Sequence, residues 1–274
     1  MSLPWKRLIR FIATDGRILR GEPILPTPTT DLGFITESDK LQARVIEGDD
    51  LYDTTGKTRV TDEIVSVKTV LGPLAQADVP ILRCVGLNYA KHVKEAGRTP
   101  PPLPIHFLQA KHHNPRPRRT SSNPTDRPGL TGRLRRRAGE TSSLFTNTLS
   151  WVKTIENALS YVAAYTVGND ISARKLQRDP ALAGRVPQWG FSKGFDTFAP
   201  LGPCLVAASE IADPSKLLLK TIVDGEVRQE EYVADLLFDC AYLVSYLLAG
   251  YDVAEGECYY DGDAWWCRRR SFAA

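Results

Sequence analysis

The 274-residue chain has no long apolar run, and this absence excludes a membrane-spanning helix at the sequence level. Nowhere does an apolar stretch approach the roughly 20 residues that cross a bilayer. At the start, Met1-Ser-Leu-Pro-Trp-Lys-Arg-Leu-Ile-Arg, charges interrupt every apolar stretch, so no secretory hydrophobic region is expected. A cytoplasmic protein without a membrane partner is the expectation, with a mitochondrial one left open. Cysteine is sparse. Five residues (Cys84, Cys204, Cys240, Cys258, Cys267) are scattered without CxxC spacing, which speaks against a disulfide framework or a zinc site and for reduced, mostly buried thiols. No Gly-rich phosphate loop and no internal repeat is found. What is present, 42% hydrophobic residues, 24% charged residues and 19 prolines, suits a substantial core in one large domain or two small ones.

The net charge of +3 conceals a local excess. Residues 111–137 hold nine Lys and Arg against the single Asp126, are rich in Pro, Ser, Thr and Asn, and show no apolar periodicity. Taken alone this is a disordered basic insert. Clustered arginines could contact phosphates, but no aromatic residues are interleaved for base stacking, so no nucleic-acid partner is expected.

Up to about residue 75, strand-like pieces such as Leu8–Ala13 and Ala43–Ile46 are separated by Gly-, Pro- and Asp-rich turns, which predicts a small β-rich N-terminal domain over 1–75. The rest, 76–274, forms a second domain. Ile81–Leu87 reads as a strand leading into a helix over Asn88–Gly97 with a glycine stop. Ile155–Tyr165 has apolar residues at helical spacing, followed by a polar stretch. Phe198–Val206 reads as a strand, Leu217–Arg228 as a hairpin turning at Asp224-Gly225, and Leu236–Leu248 as an amphipathic helix. The class is α+β with strands dominant.

Three ordered segments carry the chemistry: Cys84-Val-Gly-Leu-Asn-Tyr-Ala-Lys-His, Val167-Gly-Asn-Asp-Ile-Ser-Ala-Arg-Lys-Leu-Gln and Ser192-Lys-Gly-Phe-Asp-Thr-Phe-Ala-Pro-Leu-Gly-Pro. In content, order and separation they resemble signatures of the fumarylacetoacetate hydrolase family, in frame through about residues 1–108 and 154–250, with the flavour of short members that have a small N-terminal domain. The resemblance implies a fumarylacetoacetase C-terminal-like mixed β-sandwich roll, incomplete here, and Mg²⁺-dependent hydrolysis of a C–C bond in an acylpyruvate or fumarylacetoacetate-like diketo acid. Oxaloacetate decarboxylation and oxo-acid tautomerisation are the alternatives. It also implies a homodimer. Mg²⁺ (or Mn²⁺ or Ca²⁺) would be held by Asp170 and a Glu-x-Glu pair, hard oxygen ligands that leave positions for the oxo acid to chelate. His92 and Glu95 would activate a water, Lys193 would stabilise enolate or oxyanion charge, and Arg174 and Gln177 would position substrate. Without the signatures, His92 and Glu95 read as a solvated helical pair, Asp170 as a turn cap, and Arg174 and Lys193 as parts of a solvated face.

The Glu-x-Glu pair is missing. Where a segment resembling Ala-Asp-Tyr-Glu-Gly-Glu-Leu belongs, the chain reads Arg133-Leu-Arg-Arg-Arg-Ala138. Synonymous codons for Gly132–Ala138 (GGC CGA CTA CGA AGG CGA GCT) yield Ala-Asp-Tyr-Glu-Gly-Glu when read one nucleotide along. Gln109–Asn114 likewise recodes to Lys-Pro-Ser-Thr-Thr, and Tyr251–Cys267 to a segment containing Thr-Gly-Thr-Pro, both of the family's pattern. Residues 109–150 and 251–274 are therefore read as out-of-frame peptide, with 109–150 poorly ordered. Two of three carboxylate ligands are then absent, and Arg135, Arg136 and Arg137 would repel a cation. An inactive family member or defective gene product is the remaining reading.

Overall fold

The computed structural model describes residues 3–79, 81–109, 140–147, 155–250, 258–261 and 264–269, with the backbone alone described for 140–147, 248–250, 258–261 and 264–269. The N-terminal strands are β1 (Arg7–Ala13), β2 (Ile18–Ile24), β3 (Gln42–Glu47) and β4 (Arg59–Leu71). Their antiparallel ladder closes on itself, since β1 pairs with β2 and β4, and β3 pairs with the same two. Period-two alternation explains the packing. Ile9, Phe11 and Ala13 of β1 share one face with Ala43 and Val45 of β3 and Val65 and Val67 of β4, all buried in one cluster. Leu8 points the other way, into a second cluster with Trp5, Leu51, Leu82, Cys84 and Leu205.

Beyond this unit follow β5 (Leu82–Gly86), α1 (Ala90–Glu95), β6 (Ile105–Gln109), β7 (Glu140–Asn147), β8 (Val162–Asn169), α2 (Arg174–Arg178), α3 (Pro180–Ala183), α4 (Trp189–Lys193) and β9 (Leu205–Ala207). Next come β10 (Leu218–Val223), β11 (Glu226–Tyr232), α5 (Cys240–Gly250), β12 (Cys258–Asp261) and β13 (Ala264–Arg269). From β1 the sheet continues in the order β9-β8-β7-β13-β12-β5-β6, with β12 parallel to β5 and β13 parallel to β7. The fold is the strand-dominated α+β arrangement that the sequence predicts. Among the described residues, no helix is long and apolar enough to cross a membrane.

Several sequence expectations need correction. Ile155–Tyr165 is not one helix: a 3-10 segment ends at Tyr161 and β8 begins at Val162. Val162–Thr166 are all buried, so the strand shows no alternation that could separate it from a helix. Only Leu205–Ala207 of the region expected as a strand from Phe198 is β9, because Pro200, Gly202 and Pro203 interrupt what precedes it. The last helix begins at Cys240, not Leu236, where the Asp239 carboxylate accepts the Tyr242 N–H at 2.7 Å. Before that point Asn88 ties the chain down, its side chain donating to the Phe238 carbonyl and accepting the Phe238 N–H, each at 2.8 Å.

The segment expected to lack order over 109–150 supplies the end of β6 at Gln109 and all of β7, while 110–139 and 148–150 lie outside the described residues. The C-terminal stretch read as out of frame also contributes backbone to the sheet, as β12 and β13. The hairpin is as predicted: Asp224 (φ 52°) and Gly225 (φ 81°) both occupy the left-handed region that a two-residue turn of this twist requires.

Candidate functional site

β8 delivers the second signature to the end of the sheet, where the chain leaves the ladder after Asn169. The loop is laced to the third signature by its backbone. Ile171 N–H donates to the Phe198 carbonyl at 3.1 Å, and Ala173 N–H to the Ser192 carbonyl at 2.9 Å. These ties bring Asp170 and Lys193, 23 residues apart in sequence, into one buried ion pair. Lys193 Nζ donates to Asp170 Oδ2 and, at 2.7 Å, to Ser172 Oγ. The two side chains are only 5% and 9% exposed. Asp170 Oδ1 is buried and has no hydrogen-bond partner among the described residues. Leaving a carboxylate oxygen buried and unsatisfied is expensive, so this atom calls for a partner beyond the described residues.

Lys193 ends α4, and the helix is seated by the β5–β6 pair. Phe107 on β6 lies under the ammonium, 5.7 Å from Nζ to ring centroid, and meets Trp189 edge-on at 5.5 Å. On β5, Gly86 leaves room for the same indole: a Cβ there would sit 2.3 Å from the Trp189 ring. Gln109, two residues beyond Phe107 and so on the same strand face, donates from Nε2 to the Lys193 carbonyl at 2.9 Å. Its Oε1 accepts from Cys84 Sγ at 3.4 Å.

Arg174 and Gln177 sit on α2 and meet each other, Arg174 Nη1 donating to Gln177 Oε1 at 2.7 Å. Gln177 is buried and Arg174 half-buried. His92 and Glu95 both line a cleft of about 160 Å³ between α1 and the β10–β11 hairpin, with Thr221, Arg228 and Gln229 opposite. Asp170, Lys193, Arg174 and Gln177 do not line it. Lys91 fastens the cleft's edge. Its Nζ pairs with Glu231 at 3.0 Å and its N–H donates to the Asp235 carboxylate at 3.0 Å. The hydrogen bond to Glu231 raises the lysine's pKa, and the same bond lowers that of Glu231.

A divalent cation of the Mg²⁺ type needs about six oxygen ligands, carboxylates foremost. Among the described residues no three His, Cys, Asp or Glu side chains converge. Asp170 offers one open oxygen, but its other oxygen faces an ammonium, so these residues as they stand do not fit the ion. The position of the expected Glu pair, Arg135–Ala138, lies outside the described residues. Ser172, Gln109 and Phe107 are not among the candidates that the sequence alone yields. Ser172 lies inside the second signature, and the signal for Gln109 is a polar residue closing an apolar strand on the face of Phe107.

The family model for the fumarylacetoacetate (FAA) hydrolase C-terminal domain matches residues 82–262. The chain is 34% identical over 189 residues to a 4-hydroxyphenylacetate degradation bifunctional isomerase/decarboxylase of Salmonella dublin, covering 68% of this chain and 40% of that protein. It is 31% identical over 183 residues to the mitochondrial oxaloacetate tautomerase FAHD1 of Arabidopsis thaliana, covering 64% and 74%. The first curated relatives are matched over only 40% to 58% of their own length. In fold it is similar to the crystal structure of 2-hydroxyhepta-2,4-diene-1,7-dioate isomerase from Mycobacterium marinum, with TM-score 0.61 and 22% identity over 94% of this chain and 87% of that one. With three signatures in order, a strand-dominated sheet that places two of them against each other and a family model matched across 82–262, this chain belongs to the fumarylacetoacetate hydrolase family.

Proposed function

We propose that this chain is a family enzyme for proton transfer next to a carbonyl, tautomerising a small 2-oxo or 1,3-dioxo acid: Lys193 holds the enolate oxygen while the Asp170 carboxylate takes the proton from carbon at Oδ1 and returns it to the substrate. The observation that carries this reading is the buried Lys193–Asp170–Ser172 cluster with Asp170 Oδ1 left open. An ammonium in a dry site stabilises developing oxyanion charge far better than the same group in water. Relatives are named isomerase/decarboxylase and tautomerase, and proton transfer next to a carbonyl runs through an enolate that this cluster is placed to stabilise. Hydrolytic C–C cleavage asks more, because a water must be activated beside the lysine, and His92 and Glu95 face a cleft that Lys193 does not line. The family's Mg²⁺ and a homodimeric assembly stay part of the reading for an intact relative.

The test is keto–enol exchange of oxaloacetate, followed by enol absorbance, with the full chain in EDTA and then in Mg²⁺. Activity in EDTA that disappears in Lys193→Met supports the reading, and no activity above buffer in either condition refutes it.

A second reading rests on a specific observation, the lone carboxylate at Asp170: the metal half of the family site is lost. Replacing Gly132–Ala138 by Ala-Asp-Tyr-Glu-Gly-Glu-Leu is then expected to create stoichiometric Mg²⁺ binding that the present chain lacks. Tight Mg²⁺ binding by the present chain in a calorimetric titration would overturn this reading. Sequencing the transcript across codons 105–155 shows which version the gene encodes.

A further inference from the structure

We infer that Gln109 is a positioning residue for Lys193, the member of a β5–β6 platform that fixes the end of α4 and so aims the ammonium at Asp170. The inference rests on Lys193 being the centre of the proposed site. Gln109 sits where the family resemblance leads one to expect a lysine, and it is not spent on a surface role: its side chain is almost wholly buried.

The geometry assigns each of its polar atoms. Nε2 donates to the carbonyl of Lys193, the last residue of α4, where a helix leaves its final carbonyls without partners of its own. Oε1 accepts from the Cys84 thiol, which distinguishes the two ends of the amide and keeps the N–H₂ end turned towards the helix. Cys84 and Gly86 share one face of β5, and Phe107 and Gln109 share one face of β6, with Cys84 directly opposite Phe107 in the ladder. Trp189 packs on Gly86 and Phe107 at the start of α4, and Gln109 binds its end. A five-residue helix cannot hold its own direction, so its ends are set by what they bind: the sheet through Trp189 and Gln109, and the loop after β8 through Ser192. Lys193 Nζ then passes over the Phe107 ring to Asp170 and Ser172.

The test reads the lysine itself, so it stands or falls separately from any activity. The folded full chain is labelled at lysines with acetic anhydride, and modification of Lys193 is quantified by peptide mass spectrometry against the exposed Lys6 and Lys216. Cys240, buried in the separate cluster under α5, serves as sentinel for global loosening through its thiol labelling. Gln109→Met keeps the volume but removes donor and acceptor. It is expected to raise Lys193 labelling about tenfold, the ratio that loss of one buried hydrogen bond gives, with Cys240 unchanged. Should that variant fail to fold, Gln109→Glu replaces it: an ionised carboxylate accepts from the thiol but has no N–H for the carbonyl, and the same rise is expected. Unchanged Lys193 labelling in a folded variant overturns the inference, as does a rise shared by Cys240.

Discussion

Replacing Lys193 by Met isolates the electrostatics of the site. The variant keeps the aliphatic bulk and removes the cation that faces Asp170 Oδ2 and Ser172 Oγ. Both partners lie almost entirely out of water, at 5% and 9% side-chain exposure, so solvent cannot take over the lost role. Breaking a buried pair by removing one partner costs about 3–5 kcal/mol, because an uncompensated charge stays behind. The cost is expected at the upper end here, since Asp170 Oδ1 has no partner among the described residues. Removing both charges, as in Lys193→Met with Asp170→Leu, leaves no charge to strand and is expected to cost less than Lys193→Met alone. Urea unfolding followed by tryptophan fluorescence, on wild type, the two single variants and the double variant, gives the coupling between the two residues. A loss below about 1 kcal/mol for Lys193→Met, the range of exposed pairs, would refute the claim that this pair is buried and interdependent. Strictly additive costs would refute it as well.

Asp53 supplies a pH prediction. The Thr55 hydroxyl, with the N–H groups of Thr58 and Thr55, holds its carboxylate well below the usual range. A pKa depressed on folding contributes stability that is present above the unfolded value, about 3.9, and is lost as pH falls towards the folded one. Acidification below about pH 4.5 should therefore erode the melting temperature of wild type more steeply than that of Asp53→Asn, and parallel curves would show that the loop is not the source. Gly86→Ala places a Cβ against the Trp189 ring. Overpacking of this kind costs about 1–3 kcal/mol and should also disturb Lys193 at the other end of α4, visible as a shifted tryptophan emission and faster Lys193 labelling. An unchanged unfolding midpoint would mean that α4 is not seated on β5.

Much of this protein was legible from local pattern. The strands at Leu8–Ala13 and Ala43–Ile46 follow from apolar runs set off by turn residues, the β10–β11 hairpin from Asp224-Gly225, and the candidates Asp170 and Lys193 from signatures that resemble the family's. Local pattern failed where burial removed its contrast. Val162–Thr166 is buried on both faces, so strand and helix look alike until neighbours exist. The start of α5 depends on Asn88, 150 residues away, binding both backbone groups of Phe238 ahead of the Asp239 cap. The ion pair is likewise a product of topology: the lacing of the loop after β8 to the end of α4 brings Asp170 to Lys193. By itself the sequence determined which groups are available, because that is covalent chemistry. Which of them meet was decided by tertiary structure, which gathers Asp170, Ser172 and Lys193 in one dry cluster, seats it on Phe107 and Gln109, and turns His92 and Glu95 towards a different cleft.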